Sequence, residues 1–165
     1  MVALTPTSAW IKTSSISSNN SNTTKAKAAD EVTLSFTYDL SINTPQVVFK
    51  SNDANIADTS ISYTGTNDNT TWTAKYTVDS ADTDGVVSFT VDASSLSTAT
   101  NATQSTTTTD STSVSVDNTV PTITNTVISN DNLNLSVTVS EKICGNSNYS
   151  DTTMVFNVCL LYTSP

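Results

Sequence analysis

The chain has 165 residues, a net charge of −9 and no histidine, and its six basic residues are all lysine. An acidic chain without a basic stripe is repelled by phosphate, so nucleic-acid binding is excluded as its function. Only three glycines and four prolines are present, which excludes a collagen-like chain or a glycine-rich linker. The length allows one domain and part of another.

Short runs in which apolar and small polar residues alternate follow one another along the chain. This period of two is typical of a β-strand with one buried and one solvent-facing side. The pattern predicts seven strands, at 10–16, 31–38, 45–50, 58–63, 71–78, 85–92 and 113–117. Residues 93–111 lack periodicity, and part of this stretch is expected to form an irregular edge strand.

Large apolar side chains fall on one side of several predicted strands. Phe36, Trp72 and Phe89 are each in phase with their apolar neighbours, and so is Val91, so we expect all four in one core. About seven strands in about 110 residues, with turns between them, indicate a two-sheet sandwich. The sequence therefore predicts an all-β fold with a single β-sandwich over residues 11–117.

The strongest alternating stretch occurs twice. The sequence VTLSFTY at 32–38 returns as LNLSVTV at 133–139, and the residues before each copy also match, at 16–20 and 128–132. Such self-similarity is the sign of a repeat protein. We predict one complete domain at 9–118 and the incomplete start of a second repeat at 119–165.

The C-terminal tail differs from the rest of the chain. It holds both cysteines, Cys144 and Cys159, and its last residues, 159–165, resemble the translation of a sequencing adapter. We therefore expect the residues after about 144 to be non-native and the two cysteines not to form a selected disulfide. The pattern of a signal peptide and the long apolar run of a membrane span are both missing. We expect an internal fragment whose export signal lies elsewhere.

Three segments resemble a known family: DEVTLSFTYDLSINTPQVVFKS (30–51), NTTWTAKYTVDSADTDGVVSFTVDAS (69–94) and SVSVDNTVPTIT (113–124). They are similar to the bacterial Ig-like (Big-type) repeats that occur in tandem in very large surface and secreted proteins, many of them adhesins. The resemblance implies an immunoglobulin-like β-sandwich of about seven strands. It also implies a non-enzymatic structural or adhesive module, a stalk or spacer of a multidomain bacterial cell-surface or secreted protein. The implied location is extracellular, and the implied partners are neighbouring repeats and host or matrix surface glycans or proteins.

The acidic turn before the sixth predicted strand carries closely spaced carboxylates. Asp82 and Asp84 precede Gly85, and hard oxygen ligands at alternate positions suit Ca²⁺. Asp117 lies in a stiff junction before Pro121, where we expect it near the carboxylates of a sandwich end. By loose analogy with cadherin-like and adhesin repeats, calcium bound by Asp82, Asp84 and Asp117 would stiffen the chain there. The favoured interpretation of the acidic turn is an ordinary solvated connection between strands, and no other cofactor is predicted.

Catalytic chemistry has little support in the sequence. The chain has no histidine, no glycine-rich phosphate loop, and cysteines only in its tail, so we predict that it is not an enzyme. The alternative to a structural repeat is a carbohydrate-binding or accessory module of a secreted enzyme. Exposed coplanar aromatic side chains on one sheet face favour that alternative, and burial of all but one counts against it. The sequence leaves open the ligand, the number of repeats and the organism.

Overall fold

The computed structural model describes residues 8–96, 102–130, 133–141 and 153–157. Within these ranges, the elements of secondary structure are all β-strands. The chain divides into two compact units, Met1–Asn118 and Thr119–Pro165. The predicted all-β class is confirmed for the described part of the chain.

Nine of the described strands lie in the first unit and three in the second. Those of the first unit are β1 (Ile11–Ser18), β2 (Lys25–Ala26), β3 (Glu31–Tyr38), β4 (Gln46–Ser51), β5 (Ala54–Asn55), β6 (Ser62–Gly65), β7 (Thr71–Thr77), β8 (Gly85–Asp92) and β9 (Ser115–Val116). Those of the second unit are β10 (Ile123–Ile128), β11 (Asn134–Val139) and β12 (Thr153–Asn157).

The strands of the first unit form two sheets. One has four strands in the order β1-β3-β7-β6, and all of its pairs are antiparallel. The other has five strands in the order β2-β9-β8-β4-β5. Its β2–β9 pair is parallel, and its remaining pairs are antiparallel.

One cluster of buried side chains is shared by the two sheets. Strand β3 alternates buried and half-buried residues along its whole length, and Phe36 on β3 stands opposite Trp72 on β7. The ring of Phe49 on β4 lies 4.8 Å from the ring of Tyr76 on β7, so the aromatic side chains connect the sheets. The arrangement is consistent with a β-sandwich. The side chains predicted for the core all belong to this cluster: Phe36, Trp72, Phe89 and Val91.

The strand predicted at 58–63 begins later than expected, since β6 starts at Ser62. Asp58 explains the difference. Its Oδ1 accepts a hydrogen bond from the Ser60 N–H (2.7 Å), and its Oδ2 accepts one from the Thr77 N–H (2.9 Å). An aspartate that bonds the N–H two residues ahead forms a turn in place of a strand ladder.

The Ser/Thr-rich stretch joins the two sheets along one side of the first unit. The structure describes residues 93–96 and 102–111 of this stretch, and Ser105 forms an isolated antiparallel bridge with Val91 of β8. On the other side, the Thr109 N–H donates to the Ser14 carbonyl (3.1 Å), and the Ser14 N–H donates to Thr109 Oγ1 (2.8 Å). Backbone and hydroxyl groups of this stretch therefore take up hydrogen-bonding positions along the edge of β1. On an open sheet edge these positions stay free to pair with other chains.

The second unit contains a three-stranded antiparallel sheet in the order β10-β11-β12. Its first two strands repeat the pairing of β1 with β3, including a bulge after the first residue of the leading strand. The equivalent pairs are Ile11–Tyr38 and Ile123–Val139, and Ile16–Leu34 and Ile128–Leu135. The sequence does not predict β12. The expectations for Cys144, Cys159 and the tail 159–165 fall outside the described residues.

Two buried tyrosines, Tyr38 and Tyr76, have hydroxyl groups without a hydrogen-bond partner among the described residues. Because an unpaired buried polar group costs about 1–3 kcal/mol, we expect Tyr38→Phe and Tyr76→Phe to raise the free energy of unfolding by up to about 1 kcal/mol. Tyr63→Phe is the matched control. The Tyr63 hydroxyl accepts the Val47 N–H at 2.9 Å, so its loss should lower the free energy of unfolding by about 1 kcal/mol. Equal losses in all three variants, measured by urea denaturation, would contradict this assignment.

The burial of Tyr38 also makes the free energy of unfolding depend on pH in the alkaline range. Burial, and secondarily the charge of Asp92, raises the pKa of Tyr38 from 10.0 to about 12. The folded state favours the neutral phenol of Tyr38 over the phenolate. The stability that this preference contributes is therefore fully present below about pH 10 and is lost as the pH rises towards about 12. We expect the free energy of unfolding to fall across that range and Tyr38→Phe to make the fall shallower. An unchanged slope, measured by urea denaturation at several pH values, would show that Tyr38 does not titrate this way.

Candidate functional site

The predicted calcium ligands lie at the end of the first unit where the chain leaves it. The turn before β3 and the loop after β7 meet there, because β3 and β7 pair with Glu31 opposite Thr77. Strand β9 finishes at the same end, with Val116 opposite Gly85 of β8. The resulting group, which we call the exit cluster, consists of the turn 27–30, the acidic loop 79–84 and residues 117–118.

Asp82 is buried within the acidic loop, with 5% of its surface exposed, and its carboxylate fixes the conformation of the loop. Its Oδ1 accepts a hydrogen bond from the Ala57 N–H (2.7 Å), and its Oδ2 accepts one from the Asp79 N–H (3.0 Å). The Asp82 N–H in turn donates to the Asp79 carbonyl at 3.0 Å. A buried carboxylate bonded in this way on both oxygens holds the loop closed and ties it to the segment before β6.

Asn118 connects the parts of the exit cluster. Its Oδ1 accepts the Ala28 N–H (2.7 Å), and its own backbone N–H donates to Asp84 Oδ1 (2.6 Å). Its Nδ2 donates to the carbonyls of Asp79 (3.0 Å) and Asp82 (3.2 Å). One amide side chain, acting as donor and acceptor, therefore joins the turn, the acidic loop and the end of the last strand.

Two further carboxylates lie in the exit cluster. Asp117 is exposed, and its backbone N–H donates to the Ala26 carbonyl at 2.8 Å. Asp30 accepts hydrogen bonds on its Oδ2 from Asn20 Nδ2 (2.7 Å) and from the Lys27 N–H (2.9 Å). Asp30 thus fixes the turn before β3 in the same way that Asp82 fixes the acidic loop.

The structure brings Asp82 and Asp84 to the same end of the unit as Asp117. In the ranges that the structure describes, no three His, Cys, Asp or Glu side chains are grouped so as to hold a metal ion. Both oxygens of Asp82 and Oδ1 of Asp84 already accept backbone N–H groups. These hydrogen bonds favour carboxylates that form turns, and calcium binding there stays a prediction.

Melting the chain in calcium and in a chelator separates the two interpretations. A Tm that calcium raises and the chelator lowers, with the response lost in Asp117→Asn, supports a calcium site, because a ligand that binds only the folded state stabilises it. A Tm indifferent to calcium, chelator and substitution leaves Asp82, Asp84 and Asp117 as turn formers.

The aromatic side chains of the first unit bear on the carbohydrate-binding alternative. In the described part of that unit, Trp10 is the one exposed aromatic residue, at 52%. Tyr63 is partly buried, and the others are buried: Phe36, Tyr38, Phe49, Trp72, Tyr76 and Phe89. A single exposed ring does not make the coplanar platform on which sugars stack, so this distribution counts against that alternative.

Sequence reasoning missed Asn118. Its local signal is an Asp-Asn pair directly after a strand and shortly before a proline, which is typical of a turn. Its partners Ala28 and Asp79 are distant in sequence. They become neighbours only through the pairing of β2 with β9 and of β3 with β7.

In the described part of the chain there is no helix that could span a membrane. Comparison with known proteins gave no match, since no family model, curated protein or solved structure is significantly similar to the chain. What the chain does is therefore inferred from its sequence and its fold.

Proposed function

We propose that the first unit is an immunoglobulin-like repeat that acts as a stalk or spacer, with adhesive surfaces, in a multidomain bacterial cell-surface or secreted protein. The strand order supports this. With β2 taken as a continuation of β1 on the other sheet, and β5 as a two-residue hairpin partner at the edge beside β4, seven main strands remain. One sheet then holds the first, second, fifth and fourth of them, and the other holds the seventh, sixth and third. This is the order of the constant-type immunoglobulin sandwich.

The observation that carries the proposal is the path of the chain through the first unit. Strand β1 begins with Ile11 opposite Tyr38, at the end of β3 farthest from Glu31. The chain leaves at Asn118, which is hydrogen-bonded to Ala28 just before β3 begins. The two points are separated by the length of a strand, roughly 25 Å. A unit that the chain enters at one end and leaves at the other extends end to end when it is repeated.

The parallel pairing of β2, the continuation of β1, with the last strand β9 suits a unit that is held under tension. Strands β2 and β9 are parallel, with Lys25 opposite Ser115 and Ala26 opposite Val116. Tension on the two ends of the unit pulls these parallel strands along each other, so that all of their hydrogen bonds are strained at once. Strands that are pulled apart from one end lose their hydrogen bonds one at a time. The hydrogen bond from Ala28 to Asn118 continues this connection.

The second unit supports a tandem arrangement. Strands β10 and β11 have the register and the bulge of β1 and β3, as expected for two copies of one repeat. The proposed partners are therefore neighbouring repeats of the same chain, together with host or matrix surface glycans or proteins, and the proposed location is extracellular.

Arrays of one to four copies of residues 8–118 test this function. Each added copy should lengthen the particle by a constant increment of about 30–40 Å, the size of a compact unit of this length, as measured by small-angle X-ray scattering. Increments that shrink with copy number, as in a flexibly jointed chain, would contradict a stiff spacer. Binding to a glycan array that Trp10→Ala abolishes would favour the carbohydrate-binding module instead.

A further inference from the structure

Strand β1 is the longest edge strand of the first unit. In the described part of that unit the two sheets end at four edge strands, of which β1 has eight residues, β6 has four, and β2 and β5 have two each. An edge strand presents N–H and C=O groups that can pair with another chain, and a very short edge limits such pairing. Strand β1 is therefore the edge at which a strand of another chain has the most room to pair.

The common protections of an edge strand are confined to the two ends of β1. Lys12 is its one charged residue, and the register shift in its pairing with β3 lies beside Lys12. At the other end, the Ser18 N–H donates to the Thr23 carbonyl at 3.0 Å. Residues 13–18 carry no charge, no proline and no bulge, the features that usually blunt an edge. The middle of the strand thus needs protection of another kind.

Residues 105–114, which we call the strap, supply that protection. The Ser14 N–H donates to Thr109 Oγ1, and the Ile16 N–H donates to Thr112 Oγ1, both at 2.8 Å. The Thr109 N–H donates in return to the Ser14 carbonyl at 3.1 Å. In a strand the N–H groups of alternate residues point to the same side, so these two face away from β3. Threonine hydroxyl groups therefore occupy the positions at which another strand would pair.

Both hydroxyl groups are oriented to accept these N–H groups. The Thr112 hydroxyl donates its proton to Asp110 Oδ1 at 2.7 Å, and Asp110 Oδ1 also accepts the Thr112 N–H at 3.0 Å. The Thr109 hydroxyl donates to the Ser14 carbonyl at 3.2 Å. Because each hydroxyl proton is used elsewhere, each oxygen is left as an acceptor for β1.

The strap is fixed to the other sheet at both of its ends. The Ser105 carbonyl accepts the Val91 N–H (2.9 Å), and the Val114 carbonyl accepts the Val87 N–H (2.8 Å), so both ends are held by β8. Val114 is also part of the buried core. The middle of the strap is held on β1 by its threonines, and loss of their hydroxyls should release the middle without detaching the ends.

We propose that the strap is an edge guard, which keeps β1 from pairing with the β1 strand of another copy or of a neighbouring repeat. Two β1 strands that paired antiparallel would join two four-stranded sheets into one. Copies linked in tandem meet at a high effective concentration, so a repeat array needs such a guard more than a single domain does. That need rests on the proposed function, whereas the guard itself rests on hydrogen bonds within the first unit.

The double variant Thr109→Val and Thr112→Val tests the guard, because valine keeps the branched shape of threonine and lacks the hydroxyl. Hydrogen exchange of the full chain, followed by nuclear magnetic resonance, should show the Ser14 and Ile16 amides exchanging about fivefold faster or more. Each single variant should speed one amide only, Ser14 for Thr109→Val and Ile16 for Thr112→Val. In sedimentation velocity, the average coefficient of the double variant should rise more steeply with concentration than that of the unsubstituted chain.

Two double variants serve as matched controls. Thr109→Ser with Thr112→Ser keeps both hydroxyl groups and should restore slow exchange and the association of the unsubstituted chain. Thr103→Val with Thr106→Val removes two exposed hydroxyls from the same stretch, neither of which accepts an N–H of β1 in the described structure. It should change the exchange of the Ser14 and Ile16 amides by less than about twofold. Circular dichroism of each variant confirms that the strands persist.

Faster exchange and stronger association of the valine variant, with both controls unchanged, support the edge guard. Ser14 and Ile16 amides that stay protected overturn it, because the hydroxyls then do not hold the edge. Open amides without a gain in association also overturn it, since an edge that stays unpaired when uncovered needs no guard. Equal changes in the valine variant and the controls overturn it as well. None of these results bears on the spacer function, which the length increments of the arrays test separately.

Discussion

Trp72→Ala should lower the free energy of unfolding of the first unit by about 3–5 kcal/mol, enough to unfold a domain with a thin core. Trp72 is 7% exposed and stands opposite Phe36. Its ring closes the space above Gly65, where an added Cβ would lie 2.9 Å from ring atoms, and its Nε1 donates to the Asn69 carbonyl at 3.1 Å. The substitution leaves a cavity in the core and removes that donor. Urea denaturation followed by far-ultraviolet circular dichroism measures the loss.

Trp10→Ala is the matched control, because Trp10 is the same residue type at 52% exposure. Its loss should change the free energy of unfolding by less than about 1 kcal/mol. Equal effects of the two substitutions, or a helical spectrum of the native chain, would show that the core is assigned wrongly.

Asn118→Ala should lower the free energy of unfolding by about 2–3 kcal/mol. The side chain makes three hydrogen bonds, to Ala28, Asp79 and Asp82, and each contributes about 1 kcal/mol. Asn118→Asp keeps the acceptor for the Ala28 N–H but loses both donors and adds a negative charge beside the acidic loop. It should therefore cost at least as much as Asn118→Ala at neutral pH and less at a pH where the new carboxyl is protonated.

Asp117→Ala is the control for Asn118, since Asp117 is the exposed neighbour and the bond described for it comes from its backbone. It should change the free energy of unfolding by less than about 0.5 kcal/mol. Thermal and urea denaturation of the three variants measure these differences. If Asn118→Ala were as mild as Asp117→Ala, the exit cluster would be held together by backbone bonds and by the carboxylates of Asp30, Asp82 and Asp84.

The all-β class and most of the core follow from the period-two pattern. Strands β3, β7 and β8 lie within one residue of their predicted bounds, because each buries one face and its alternation is therefore strict. The repeated stretch likewise appears as a repeated strand pair with the same register and bulge. Local alternation thus predicts a strand wherever one face is packed and the other is wet.

The other features depend on contacts between residues distant in sequence, which the alternation of apolar and polar residues does not reveal. Strands β2 and β5 have two residues each, too few for a pattern to show. The strand predicted at 58–63 starts late, because the Asp58 carboxylate accepts backbone N–H groups in a turn. At the exit cluster, the acidic residues indicate a site, but the partners of Asp82 and Asn118 are set by how distant strands pair. The sequence therefore does not predict that these carboxylates bond backbone N–H groups.

The distance between the two ends of the first unit tests the spacer function most directly. Lys12 and Asp117 are exposed residues near the points where the chain enters and leaves the unit. Nitroxide labels at both, in a chain with Cys144 and Cys159 replaced by serine, report their separation by electron paramagnetic resonance. An end-to-end repeat predicts about 20–25 Å, from six residues of strand at about 3.3 Å each and a sheet spacing of about 10 Å. A separation below about 12 Å, hardly more than that sheet spacing, would place both ends together and contradict it.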